Sequence, residues 1–349
     1  SEGEYELQVT LPVPEGDIDP KNNTRKLKVN VKKELLKVLI VDSTPRWEYR
    51  FLRNALIRDP GVDVNCLLIR PELGPAEGDK YIAQFPDEKE LLKYDVVFIG
   101  DVNIDETAFN GKNIEELDNL IRQHGSGLVF IPGIRGELFE LNKSNPVIKN
   151  LMPISFDKDQ KDGVGEDIPE RLKLTFAGQN HLLTRLVANK RLNEKVWSEL
   201  PGFYWRAGVS RAKGDAEVLA VCDVSKNKYG LIPLLVTRRA GEGLVLFLGT
   251  DSAWRWRKGV EDLYHYRFWG QVIRAMSRKR HLAKSILGSL VFSPEAPETM
   301  ETVNVQAIVN DRQGFPLKNG NVIMEVVDPD GHGVTMPMIE LPGGWGVYK

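Results

Sequence analysis

The chain has 349 residues, with 47 Lys and Arg against 49 Asp and Glu, a formal net charge of −2 and a pI near 6.3. That balance offers no basic field for a nucleic acid, and no apolar run approaches the roughly 18 residues of a membrane span. The two cysteines, Cys66 and Cys222, sit apart in apolar runs and read as buried core thiols. With five scattered histidines they exclude a zinc cluster.

In chain order, Tyr5 to Leu11 and Arg25 to Val31 alternate polar and apolar residues around a turn-rich loop, Pro12 to Thr24. This pattern predicts half-buried antiparallel strands, the closing hairpin of a β-sandwich occupying residues 1–33. From Leu36 continuous apolar strands alternate with amphipathic helices. Strands are predicted over 37–42, 62–69, 94–100 and 127–131. Helices are predicted from Trp47 to Arg58 and from Ile114 to His124, the second capped by Gly125. Further strands follow at 172–176, 216–221, 231–237 and 243–248, before a closing helix from Glu261 to Arg278. Strands this apolar, separated by helices, predict an α/β domain over 34–285 whose sheet is mainly parallel with helices on both faces. Alternation returns over 302–309, 321–327 and 346–348 with turns at 311–314 and 328–331, the first part of a second β-domain over 286–349. The acidic stretch 157–167 lacks the spacing of a calcium loop and reads as a solvated loop.

Ligands of open parallel sheets bind beyond the carboxyl ends of the strands. Those ends supply Asp42, Ser43, Arg46 and Glu48 after the first strand, Asp101 after the third, and Gly133 and Arg135 after the fourth. The last strand adds Asp251, Trp254, Arg255 and Trp256, from the segment Thr250 to Gly259. Carboxylates, guanidinium groups and indoles together suit a polar or anionic ligand through bidentate contacts and stacking. They also suit a cluster that pairs its own charges and ties loops together. The stretch Gly127 to Gly136 has the form of a strand running into a tight turn, where hydrolases of this class display a nucleophile, yet it contains no Ser, Cys or Thr. No phosphate-binding glycine loop and no metal-ligand spacing is present, so no cofactor is expected.

The segments Val41 to Leu52, Ile99 to Asp101, Gly127 to Gly136, Trp254 to Gly259 and Tyr264 to Trp269 together resemble the class I glutamine amidotransferase-like fold. The likeness is to such domains in large uncharacterised planctomycete-type bacterial envelope proteins, where they adjoin immunoglobulin-like modules and often a von Willebrand factor A domain. It implies a flavodoxin-like sheet and a place on the periplasmic side of a membrane-anchored longer chain. Catalytic members of the class carry a cysteine at the elbow and a His-x-Glu pair after the last strand. Here those places hold Gly133-Ile134-Arg135 and Gly249-Thr250-Asp251-Ser252, so no catalytic residue carries over. The expectation is a non-catalytic module that binds a small polar ligand or a protein partner, joined to anchoring regions beyond this chain. The alternatives are an enzyme using Asp42, Asp101 or Asp251 as acid or base with Arg135 as anion stabiliser, and a structural spacer.

Overall fold

The computed structural model describes residues 3–10, 23–31, 35–105, 107–259, 263–281, 288–293, 300, 302–309, 317–327, 332–341 and 346–349. Ser1–Leu35 form one compact unit and Leu36–Lys349 another. In the first, β1 (Gly3–Thr10) and β2 (Thr24–Val31) pair antiparallel from Gly3 with Val31 to Thr10 with Thr24. The loop predicted between them lies mostly outside the described residues, as do the turns at 311–314 and 328–331 and the boundaries at 33–34 and 285–286.

The second unit is built on a nine-stranded mixed sheet. Its parallel centre runs from β4 (Val62–Arg70) through β3 (Leu36–Asp42), β6 (Val96–Ile99) and β7 (Gly127–Phe130) to β15 (Gly243–Leu248). A two-residue β5 (Gly74–Pro75) edges β4. Every residue of β6 and β7 is buried, so both faces of the centre are covered. The covering helices are α1 (Trp47–Arg58), α2 (Glu88–Leu91), α3 (Gly111–His124), and further along α8 (Leu263–His281). On α1 the buried set is Glu48, Tyr49, Leu52, Ala55 and Leu56; on α3 it is Ile114, Leu117, Leu120, Ile121 and His124. Asn110 and Asn113 form a reciprocal capping box at the start of α3, and Gly125 ends it with φ 70°, the left-handed turn that favours glycine.

The other side of the sheet departs from the expectation of a mainly parallel one. β13 (Ala216–Asn227) pairs antiparallel with β14 (Gly230–Ala240), which pairs antiparallel with β15, and β10 (Leu172–Leu174) adds an antiparallel edge. The reason is chain length. Only Lys228 and Tyr229 join β13 to β14, and only Gly241 and Glu242 join β14 to β15. A parallel crossover needs about a dozen residues, so links this short force hairpins.

Between β7 and β13 the chain makes an excursion that the periodicity left largely unread. It holds α4 (Glu137–Ser144), α5 (Pro146–Leu151), β8 (Ile154–Phe156), β9 (Val164–Glu170), α6 (Phe176–Asn180), α7 (Lys190–Glu199), β11 (Phe203–Arg206) and β12 (Val209–Ala212). β9 takes over part of the predicted acidic loop, and α6 ends the strand predicted over 172–176 at Leu174. Beyond α8, β16 (Gly288–Ser293), β17 (Asn304–Val309) and β20 (Val347–Tyr348) form one small antiparallel sheet, and β18 (Val322–Val327) pairs with β19 (Gly333–Met338). Cys66 and Cys222 are both buried free thiols. No helix among the described residues is long and apolar enough to cross a membrane.

Candidate functional site

Beyond the carboxyl ends of β3, β6, β7 and β15 the charged side chains gather, and most of them are spent on the fold. Arg46, at the N-cap of α1, donates from Nε to Asp42 Oδ2 at 3.1 Å. Its remaining nitrogens reach 2.8 Å to the Pro132 carbonyl and 2.6 Å to the Ile131 carbonyl, so one guanidinium ties the end of β3 to the chain leaving β7. Asp42 also accepts the Ser43 amide at 2.8 Å, and the Ser43 hydroxyl donates to the Asp101 carbonyl. Burial pushes the Asp42 carboxyl up, against the pull of Arg46; burial alone would lower Arg46, but Asp42, Asp251 and Asp101 carry it upward. This fit requires glycine at 100: a methyl there would stand 2.2 Å from Asp42 Oδ2.

Asp101 occupies the elbow. Only 1% exposed, it accepts the Arg135 amide at 3.0 Å and the Leu138 amide at 3.1 Å, the latter in the first turn of α4. A helix N-terminus presents unpaired amides and a positive dipole end, a device that in enzymes holds an anion or a developing oxyanion. In this chain a resident carboxylate fills it. Gly133 serves that contact, since a Cβ there would come within 2.7 Å of Asp101 Oδ2. The Arg135 side chain reaches Glu137 at 3.5 Å.

Glu48 is 1% exposed and accepts the Trp254 amide at 3.1 Å, fixing the turn after β15 to α1. Burial pushes its carboxyl up to about 8, so it holds its proton at neutral pH. Asp251, half-buried, is likewise pushed up by burial and drawn down by Arg46.

That turn, Ala253–Arg257, is a short 3-10 helix, and with three residues per turn positions two apart point about 120° from each other. Trp256 faces in. It is buried edge-on against Trp197 at 5.5 Å and Phe268 at 5.1 Å, a core plug. Trp254 faces out, stacked with Phe51 at 5.9 Å and 14°, and Phe51 stacks in turn on Trp47 at 5.8 Å. Arg255 lies between two rings, 4.9 Å from Tyr204 and 4.6 Å from Trp254, and Arg257 lies 4.0 Å over Phe51. His265 is buried and accepts the Trp269 indole N–H at 3.1 Å.

These rings and cations border a cleft of about 550 Å³. One wall carries Phe51, Trp254, Arg255, Arg257 and Lys258; the excursion supplies the other with Pro169, Arg171, Pro201, Gly202 and Tyr204. Of the sequence-predicted site residues only Trp254 and Arg255 line it. Asp42, Ser43, Arg46, Asp101 and Gly133 belong to the closed cluster. Phe51 was legible only as part of an apolar helix face, and Tyr204 and Arg171 join through the tertiary fold; the aromatic run Phe203-Tyr204-Trp205 is the one local signal for them. No group of three or more described His, Cys, Asp or Glu residues could hold a metal ion.

No protein-family profile and no curated protein matches the chain. Among solved structures it is similar to the cytoplasmic protein STM1381 from Salmonella typhimurium LT2, at 17% identity and a TM-score of 0.48, over 69% of this chain and 99% of that one. It is also similar to the exo-beta-1,4-mannosidase Op5Man5 from Opitutaceae bacterium strain TAV5, at 13% identity and a TM-score of 0.34, over 70% of this chain and 36% of that one. The carbohydrate deacetylase Agd3 gives 12% identity and a TM-score of 0.38, over 70% and 32%. None of these likenesses assigns a family or a chemistry to this chain, which is an α/β protein with a large mixed sheet.

Proposed function

We propose that this chain is a non-catalytic binding module, a glutamine amidotransferase-like domain of flavodoxin-like ancestry whose ligand sits in the aromatic cleft beside the former elbow. One observation carries the reading: Asp101 fills the helix N-terminus at the elbow, where an acyl-transfer enzyme keeps its amides open. Asp42 is consumed in the same way by Arg46 and the Ser43 amide. The flanking β-segments would be immunoglobulin-like spacers, and the whole a part of a longer, membrane-anchored protein of the bacterial cell envelope.

A thermal-shift panel of amino acids, sugars, nucleotides and acidic oligomers tests this, with Tyr204→Ala alongside. A compound that raises the melting temperature of the wild type, fails to do so in the variant and is recovered chemically unchanged supports the module. Asp251 keeps a second reading alive, because a half-buried carboxyl pushed upward beside Arg46 has the character of a general acid. A compound recovered as product, with conversion abolished in Asp251→Asn, would replace the module by an enzyme.

A further inference from the structure

We propose that the cleft takes an acidic oligosaccharide, a chain of sugars bearing carboxylates; this rests on the binding reading above. The cleft is selective in sign. Arg171, Arg255, Arg257 and Lys258 line it and, among the described residues, no carboxylate does, although the chain as a whole carries a net charge of −2. No described carboxylate pairs with Arg255, whose Nε is buried without a hydrogen-bond partner. Stacked between Tyr204 and Trp254, its plane is held by the rings, and the terminal nitrogens of its guanidinium are the part left to meet a planar anion.

The aromatic side of the cleft argues for sugar rings. Beside the cleft, Trp47 is 57% exposed in a three-ring cluster with Phe51 and Trp254, and Tyr204 is 43% exposed on the cleft wall. Exposed indole and phenol faces offer apolar planes to the C–H face of a pyranose, while the cations take the substituents. The backbone argues against two other anions. Pro169 and Pro201, which lack N–H groups, lie on the wall that the excursion supplies, so that wall has fewer main-chain donors for a phosphate cradle of amides or for an added peptide strand. A volume of about 550 Å³ lies in the ordinary range for a small-ligand site.

Isothermal titration with tetragalacturonate, beside neutral galactotetraose, tetraglutamate and ADP, tests the assignment. The expected result is binding of tetragalacturonate alone, weakened about tenfold or more by Arg255→Ala and by Tyr204→Ala. Its affinity falls as salt rises from about 50 to 500 mM, as screening requires. Arg255→Lys restoring little marks the planar guanidinium as the contact, and unchanged melting temperatures show that the variants fold. Equal binding of galactotetraose overturns the acidic assignment and leaves the cleft as a binding site. Tighter binding of tetraglutamate or ADP replaces the saccharide by that class. Binding untouched by both variants moves the site elsewhere, and no binding of tetragalacturonate refutes the proposal. The binding reading itself fails only if nothing in the wider panel is held through Tyr204.

Discussion

The carboxylate cluster and the aromatic cleft both draw on the first half of α1 and its cap, yet they hold their charges in different ways. In the cluster every charge meets a partner inside the protein: Asp42 meets Arg46, Asp101 meets two amides, and Arg46 spans the strands to two carbonyls. In the cleft, cations lean on aromatic faces and none of the described lining residues is an acid. Burying a charge is costly unless it is paired, so the first arrangement holds loops in place. An exposed cation over a ring contributes little to stability, so the second leaves chemistry available to a ligand. Charge density alone does not mark a site; the partners of each charge do.

The largest effect that would break this contrast belongs to the cluster. Arg46→Ala strands a buried Asp42 and two carbonyls, and should cost about 3–5 kcal/mol in urea denaturation. A loss of under about 1 kcal/mol would show a solvated Arg46, as in a surface ion pair, and an open crevice. Gly100→Ala forces a methyl onto Asp42 and should cost about 1–3 kcal/mol by the same measurement, as overpacked sites do.

Glu48 sharpens the contrast through pH. Its folded value is raised from 4.5 to about 8, so between those limits the folded protein holds a proton that the unfolded chain releases. Stability from this group therefore falls as pH rises through that window and levels off above it. Melting temperatures from pH 5 to pH 9 should show less decline in Glu48→Gln than in the wild type. An identical decline would assign the effect to other groups.

The smallest stability effects belong to the cleft. Tyr204→Ala should change the unfolding free energy by no more than about 0.5 kcal/mol, the usual size at exposed positions, and half-buried Arg255→Ala by about 1 kcal/mol, the worth of its ring contacts. If either lost as much as Arg46→Ala, the cleft would be structural too.

How much of this was legible in the sequence follows from what each feature depends on. The parallel centre was legible because its strands are apolar end to end, and Asp42, Asp101 and Asp251 were legible because they directly follow such runs. The antiparallel flank had its cue in the two-residue links at 228–229 and 241–242, which outrank strand composition in deciding direction. The excursion from 132 to 215 escaped because its helices are short and capped by single residues such as Asn145 and Asn189, too brief for a period to show. The partners of a charge were not legible at all. Nothing local tells that Trp254 turns outward and Trp256 inward, or that Tyr204 comes to rest on Arg255 from 51 positions away.

The most direct test of cluster against cleft is an amide and indole NMR titration of the full chain with the ligand that the binding screen returns. The account predicts shifts at the Trp47 and Trp254 indoles and at the amides of Gly202, Tyr204 and Arg255. The amides of Ser43, Arg135 and Leu138, which already donate to Asp42 and Asp101, should stay in place. Shifts at those three amides with a silent cleft would put the ligand on the carboxylates and contradict the account.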